Sequence, residues 1–333
     1  MFASFKDYAK NLKPVLDAAF TGHLTRLLGN GGPRGSALET ELLAGGKKIR
    51  GSLLCLVAST LGGALEDALP RAVAVELIQA ATLIHDDFVD QHRSRRNRAS
   101  AWTLEGGRRA VLLGDIVFAS AIHMMSEMGR DDGLIVSRAI AEVSSGAYQE
   151  PLNPSSLLEA IEGSRIDTEM YLKIISLKTG VLFGAACELG AVAAMANDKI
   201  RRSWRRYGLK IGEAYQIADD LHDVEQCLLN HCVRGSEIAG LAPALLFFAG
   251  ESRACIINAL RRERSDLSGE ILLHFRTAAE LMKAEKERRL QSAVEGIVKD
   301  SADSDIYRLA LKTPWDIISM FDEATPPVSL RSR

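Results

Sequence analysis

The sequence predicts an all-helical fold, and three observations carry that reading. Long stretches of Ala, Leu, Glu, Lys and Arg place apolar residues at helical spacing. Val, Ile and the aromatic residues rarely alternate with polar ones over a useful length, so strand signals are weak. Only nine prolines occur, several near the ends or between the periodic stretches.

Taken in order, Met1–Phe20 reads as an amphipathic helix. It carries Asp7, Lys10, Lys13 and Asp17 among apolar residues, which excludes the apolar core of a signal peptide. Helical spacing then predicts Gly51–Leu61, Ala68–Arg93, Gly107–Met128, Asp132–Gln149, Ser155–Ile175, Thr179–Ala196 and Asp198–Glu225. It continues through Glu237–Ala249, Ser252–Asp266, Gly269–Asp300 and Ser304–Leu311. Leu182–Ala196 is so rich in Ala and Gly that it suits a central helix packed closely on its neighbours. The longest apolar stretch, near Ile238–Ala249, contains Gly240 and Pro243 and is too short to span a bilayer, so no transmembrane segment is expected. No fixed-period repeat, low-complexity segment or linker divides the chain, and residues 1–333 are read as one helical domain.

A composition of 47% hydrophobic and 25% charged residues suits a large buried core. With 41 basic against 43 acidic residues, the net charge of -2 gives no reason to expect nucleic acid or an anionic membrane as the main partner. The five cysteines are scattered. Cys227, His231 and Cys232 lie close together, but no second ligand pair follows at zinc spacing. Reduced thiols in a cytoplasmic protein are the expectation.

Two segments carry chemistry. In Ile84-His85-Asp86-Asp87-Phe88-Val89-Asp90, Asp86 and Asp90 share a helix face and Asp87 lies beside them. A like-charged pair ~4 Å apart costs on the order of 4 kcal/mol at an effective dielectric of 20. A hard, oxygen-seeking cation such as Mg2+ relieves that repulsion. A solvated acidic patch is the plain alternative for a single segment. The pattern recurs, however, at Asp219, Asp220 and Asp223, again between apolar flanks. Two such clusters facing each other in a bundle would hold several cations, which call for an anionic ligand with phosphate oxygens. Cationic residues suit that ligand: Lys47, Lys48 and Arg50 after Gly45-Gly46, Arg95 and Arg96 after the first cluster, and Lys178 with Thr179.

These residues resemble the trans-isoprenyl diphosphate synthase (polyprenyl synthetase) family. The resemblance runs from about Gly45 to Ala244 through GGKKIR, ELIQAATLIHDDFVD, RRNRAS, GGRRAVLLGD, YLKIISLKTG and YQIADDLHD, in that order. It implies a single helical bundle with a central cavity, usually a homodimer. It implies that isopentenyl diphosphate is joined to an allylic diphosphate, with three Mg2+ ions per substrate-loaded site. Carried over by position, Asp86, Asp90 and Asp219 hold Mg2+, and Asp87, Asp220 and Asp223 support it directly or through water. Arg95 and Lys178 meet the allylic diphosphate. Lys47, Arg50, Arg96 and Gln79 meet that of isopentenyl diphosphate. Thr179 and Gln216 line the reacting carbons.

Family members that stop early carry bulky aromatics four or five residues before the first aspartate. Here those positions are the small Thr82 and Ala81. At a rise of 1.5 Å per residue, Ile78 lies roughly 5 Å deeper, about one isoprene unit. Ile78, with Phe118 or Ile122, is then the expected floor for a C20 product, although all three suit plain core as well. The chain departs from the family in one stretch, Cys232–Pro243. The two usual lysines are missing, Arg234 is the only nearby cation, and Glu237 stands for the usual Asp. Asn97 and Gly51 replace a usual Gly and Pro. A longer-chain synthase, a class I terpene cyclase and a regulatory subunit of a heteromeric synthase are the rival readings. The second DDxxD weighs against the cyclase, and the six retained aspartates weigh against the regulatory subunit.

Overall fold

Tyr8, Leu12, Leu16, Phe20 and Leu24 recur every four residues and form the buried stripe of the first helix, α1 (Phe5–Leu28). The computed structural model describes residues 2–28, 45–95, 98–150, 154–162, 169–248, 253–262, 264–267, 269–297 and 304–324. After α1 come α2 (Ile49–Thr60), α3 (Leu65–Val89), α4 (Ala101–Glu105), α5 (Gly107–Met128), α6 (Arg130–Gln149), α7 (Pro154–Glu162) and α8 (Met170–Ile175). A π turn, Ser176–Gly180, leads into α9 (Val181–Ala193). The rest is α10 (Asp198–Asn230), α11 (Gly235–Phe248), α12 (Arg253–Leu260), α13 (Gly269–Glu295) and α14 (Asp305–Ala324). Two short antiparallel ribbons pair β1 (Ser94–Arg95) with β2 (Arg98–Ala99) and β3 (Cys232–Arg234) with β4 (Arg264–Asp266).

The all-helical expectation therefore holds, with local corrections. Ser252–Asp266 is not one helix: it contains α12 and then a strand, because Arg264–Asp266 finds its hydrogen bonds on Cys232–Arg234. Ser155–Ile175 contains α7 and α8 rather than a single helix. Thr179 opens no new helix; it lies inside the π turn.

Two compact units are interleaved along the sequence. One comprises Met1–Ala141, Leu182–Gly208 and Gly296–Asp316; the other comprises Glu142–Val181, Leu209–Glu295 and Ile317–Arg333. In the first, α3 packs along α2 and α5. The Ala/Gly-rich α9 is buried as expected, and its closeness to α2 explains the glycine: a Cβ on Gly190 would stand 2.5 Å from the Leu54 carbonyl oxygen. A bidentate ion pair ties α3 to α6, with Arg71 Nε 2.6 Å and Nη2 3.0 Å from the two Asp132 oxygens. In the second unit, Ile217, Leu221 and Val224 of α10 pack with Leu241 and Leu245 of α11 and Phe275 and Met282 of α13.

By length and composition alone, two helical stretches could cross a membrane, Gly107–Met128 and Met170–Ala193. The sequence reading missed them because it looked for a charge-free run. Of the second, 78% is buried, as in a core helix; of the first, 28% is buried.

Candidate active site

The first aspartate cluster closes α3. Asp90 caps the helix, and its backbone N–H donates to the Asp86 carbonyl at 2.8 Å. Helix C-termini carry partial negative charge, so carboxylates there add to a field that attracts cations. The three carboxylates are not equivalent. Asp86 is half-buried, Asp90 is exposed, and Asp87 is turned inward at 5% exposure. Asp87 is held by Arg95: Nε lies 2.9 and 3.1 Å from its oxygens, and Nη2 2.8 Å from Oδ1. Arg95 reaches it from the β1–β2 ribbon that follows α3. His85, beside Asp86, stacks edge-on against Phe118 at 5.4 Å and meets the Val111 carbonyl at 3.1 Å.

The second cluster lies mid-way along α10 and repeats this division. Asp219 and Asp223 are exposed; Asp220 is half-buried. Two donors grip Asp220: the Tyr171 hydroxyl at 2.8 Å and Gln216 Nε2 at 3.0 Å. Gln216 Nε2 also lies 3.5 Å from Asp219, and its Oε1 accepts the Thr179 hydroxyl at 2.6 Å. Burial pushes the Asp220 carboxyl up to about 7. The Gln216 and Tyr171 hydrogen bonds draw it back, and the charges of Asp219 and Asp223 add to the rise.

The predicted cationic residues take distinct positions. Gly46 (φ 119°) and Lys48 (φ 53°) make the expected turn before α2. Lys47 is exposed, whereas Lys48 is buried with its ammonium 3.4 Å from the centre of the Phe20 ring. Arg50 is half-buried, 4.3 Å over the Phe183 ring. Lys178 Nζ lies 2.6 Å from Glu150, and Gln79 is half-buried on α3. Arg96 and Asn97 lie outside the described residues, as does the Glu237 side chain. Of the chain-length residues, Ile78 and Ala81 are fully buried, and Thr82, Phe118 and Ile122 are half-buried, on α3 and α5.

The departures have physical reasons. Gly51 donates its N–H to the buried Glu76 at 2.8 Å, which a proline cannot do. Val233 and Ala242 sit in the core of the second unit, where lysines would be buried charges. Arg234 is exposed on β3. Sequence reasoning missed Tyr171, Glu150 and the π turn. No spacing in the sequence signals them, since residues eight apart do not share a face of a regular helix.

Among the described residues, no three His, Cys, Asp or Glu side chains converge into a ready metal cage. The half-buried Asp86 and the exposed Asp90, Asp219 and Asp223 carry hard carboxylate oxygens, the donor type that Mg2+ takes. Cys227 and Cys232 are free thiols, as expected.

Residues 35–227 match the family model described as polyprenyl synthetase. A geranylgeranyl diphosphate synthase of Methanosarcina mazei is 31% identical over 204 residues, covering 59% of this chain and 60% of that protein. Component 2 of a heptaprenyl diphosphate synthase from Geobacillus stearothermophilus is 35% identical over 195 residues, covering 58% of each. The matched part thus spans less than two thirds of these relatives' length. Among solved structures, a polyprenyl synthase from Caulobacter crescentus, complexed with calcium and isoprenyl diphosphate, superposes with a TM-score of 0.67 at 25% identity, covering 96% of this chain and 98% of that one.

Proposed function

We propose, from the premise that this chain belongs to the polyprenyl synthetase family, that it is a prenyltransferase joining isopentenyl diphosphate to an allylic diphosphate. One observation carries the reading: in each of the two DDxxD segments the middle carboxylate is gripped by side-chain donors, Asp87 by Arg95 and Asp220 by Tyr171 and Gln216, while Asp90, Asp219 and Asp223 are exposed. Exposed carboxylates beside anchored ones, repeated in two segments, suit cation-bridged diphosphate better than a structural role would require.

Magnesium, when bound, would neutralise the diphosphate that leaves the allylic carbon. In the first unit Asp86 and Asp90 would take it, with Asp87 behind them; in the second, Asp219 and Asp223 would do so, with Asp220 behind them. Lys178, kept in place by Glu150, would contribute positive charge where the leaving diphosphate gathers negative charge. Lys47 and Arg50 would bind the diphosphate of isopentenyl diphosphate. Thr179 and Gln216, bonded to each other, would face the reacting carbons.

For the product we favour C20. Ala81 and Thr82 leave room on α3 above the buried Ile78. We also propose a homodimer, supported by the exposed Leu112 (50%) and Ile116 (48%), one turn apart on α5. The missing lysines at the buried Val233 and Ala242 favour one second reading, a synthase that works only with a partner subunit.

The test is condensation of labelled isopentenyl diphosphate with dimethylallyl, geranyl or farnesyl diphosphate in Mg2+. A C20 alcohol after dephosphorylation, lost with EDTA, is the expected result. A longer ladder keeps the transferase and removes the Ile78 floor. No product with any primer, restored by an added partner chain, moves the second reading to the front.

A further inference from the structure

The inward turn of Asp220 rests on a residue that the proposed chemistry does not itself use. Tyr171 is 3% exposed, and its ring lies 5.8 Å from Phe247 and 5.6 Å from Phe248 of α11. Its hydroxyl is aimed by that packing at Asp220 Oδ2, 2.8 Å away. The opposite oxygen, Oδ1, takes Gln216 Nε2 at 3.0 Å, and Gln216 is itself fixed by Thr179 at 2.6 Å. A continuous chain, Thr179–Gln216–Asp220–Tyr171, thus grips one turn of α10 from two points on the segment that precedes α9.

The π turn between those two points makes the grip geometrically feasible. In an uninterrupted α-helix, residues eight apart overshoot two full turns by about 80°. Tyr171 and Thr179 would then diverge around the axis. A π turn, with its wider i→i+5 winding, absorbs extra residues and brings the two back toward one side. The backbone irregularity is therefore matched to the spacing of the two donors, as expected where a fold departs from regular geometry to place a functional group.

We infer that Tyr171 is a positioning residue: its hydroxyl, set by the Phe247–Phe248 packing and paired with the Thr179–Gln216 bond, fixes the Asp220 carboxylate so that the second cluster can bind its metal. This rests on the metal-dependent reading above. Orienting partners behind a ligand typically govern metal affinity by 10–100-fold. The hydroxyl would act on metal binding while leaving isopentenyl diphosphate binding alone.

The experiment titrates the full-length protein with Mn2+ in the presence of inorganic pyrophosphate, with free Mn2+ read by electron paramagnetic resonance. Tyr171→Phe keeps the ring and removes the hydroxyl; it is expected to weaken Mn2+ binding about tenfold. Thr179→Val should share the loss and Thr179→Ser should escape it. In assays, Tyr171→Phe should raise the Mg2+ requirement without changing the KM for isopentenyl diphosphate. Mn2+ binding by Tyr171→Phe equal to that of the parent overturns the inference, whatever its melting temperature. If Tyr171→Phe does not fold, parent-like binding by Thr179→Val overturns it instead. A parent that binds no Mn2+ with pyrophosphate removes this inference and the metal-dependent reading together. A parent that binds Mn2+ yet makes no prenyl product defeats only the transferase reading, and the titration still decides the role of Tyr171.

Discussion

At Asp87 and Asp220 the same sequence pattern is stabilised in two ways. Asp87 is paired with the Arg95 guanidinium, whereas the donors to Asp220 among the described residues, Tyr171 and Gln216, are neutral, and burial with the charges of Asp219 and Asp223 pushes its carboxyl up to about 7. A folded-state value above the unfolded 3.8 means that the native state holds this proton more tightly. The associated stability is complete near 3.8 and is lost as pH rises through about 7. The melting temperature of the metal-free protein should thus fall as pH rises from about 4 to about 7 and level off above, and Asp220→Asn should flatten that fall and raise the value at pH 8. Scanning calorimetry in EDTA checks it, and an unchanged slope would remove the assignment. The six aspartates were legible from spacing alone. That Asp87 and Asp220 would be the gripped members was legible in part, because each follows a buried isoleucine, Ile84 and Ile217, by three residues. Which donor would meet each one was not legible, since Arg95 is local and Tyr171 lies on another helix.

Elements declared themselves where period and composition agreed, as in α1, α5 and α10, and failed where pairing came from far along the chain. Nothing in Arg264-Ser265-Asp266 favours a strand; the hydrogen bonds of Cys232–Arg234 impose it. The π turn is a shift of phase with no compositional mark, so periodicity passed over it. The Arg71–Asp132 pair was equally hidden, as two charges in amphipathic sequence reveal nothing of burial. Its side chains are 10% and 4% exposed, so removing one partner strands the other. Arg71→Met should cost about 3–5 kcal/mol, whereas Arg71→Met with Asp132→Leu should recover most of that loss. A urea double-mutant cycle measures both, and additive losses would mean that the pair contributes nothing as a pair.

Over the whole molecule, the exposed Leu112 and Ile116 side chains make the proposed homodimer testable. Leu112→Glu with Ile116→Glu should turn a dimer into a monomer by light scattering, with little change in melting temperature. A parent that is already monomeric removes the proposal. A different consequence follows from the interleaving of the two units. Each is assembled from three separated stretches of chain, and each receives its last stretch from α14. In the first unit, Asp316 accepts the Phe5 backbone N–H at 2.7 Å, and the Ala310 carbonyl accepts the Tyr207 hydroxyl at 2.6 Å. The first bond joins α1 to α14 across 311 residues, and the second joins α10 to α14 across 103. Neither unit can therefore be completed while the ribosome still holds α14, and the earlier stretches must wait for it before either core closes. Until then its apolar helices depend on whatever shields nascent chains in the cell.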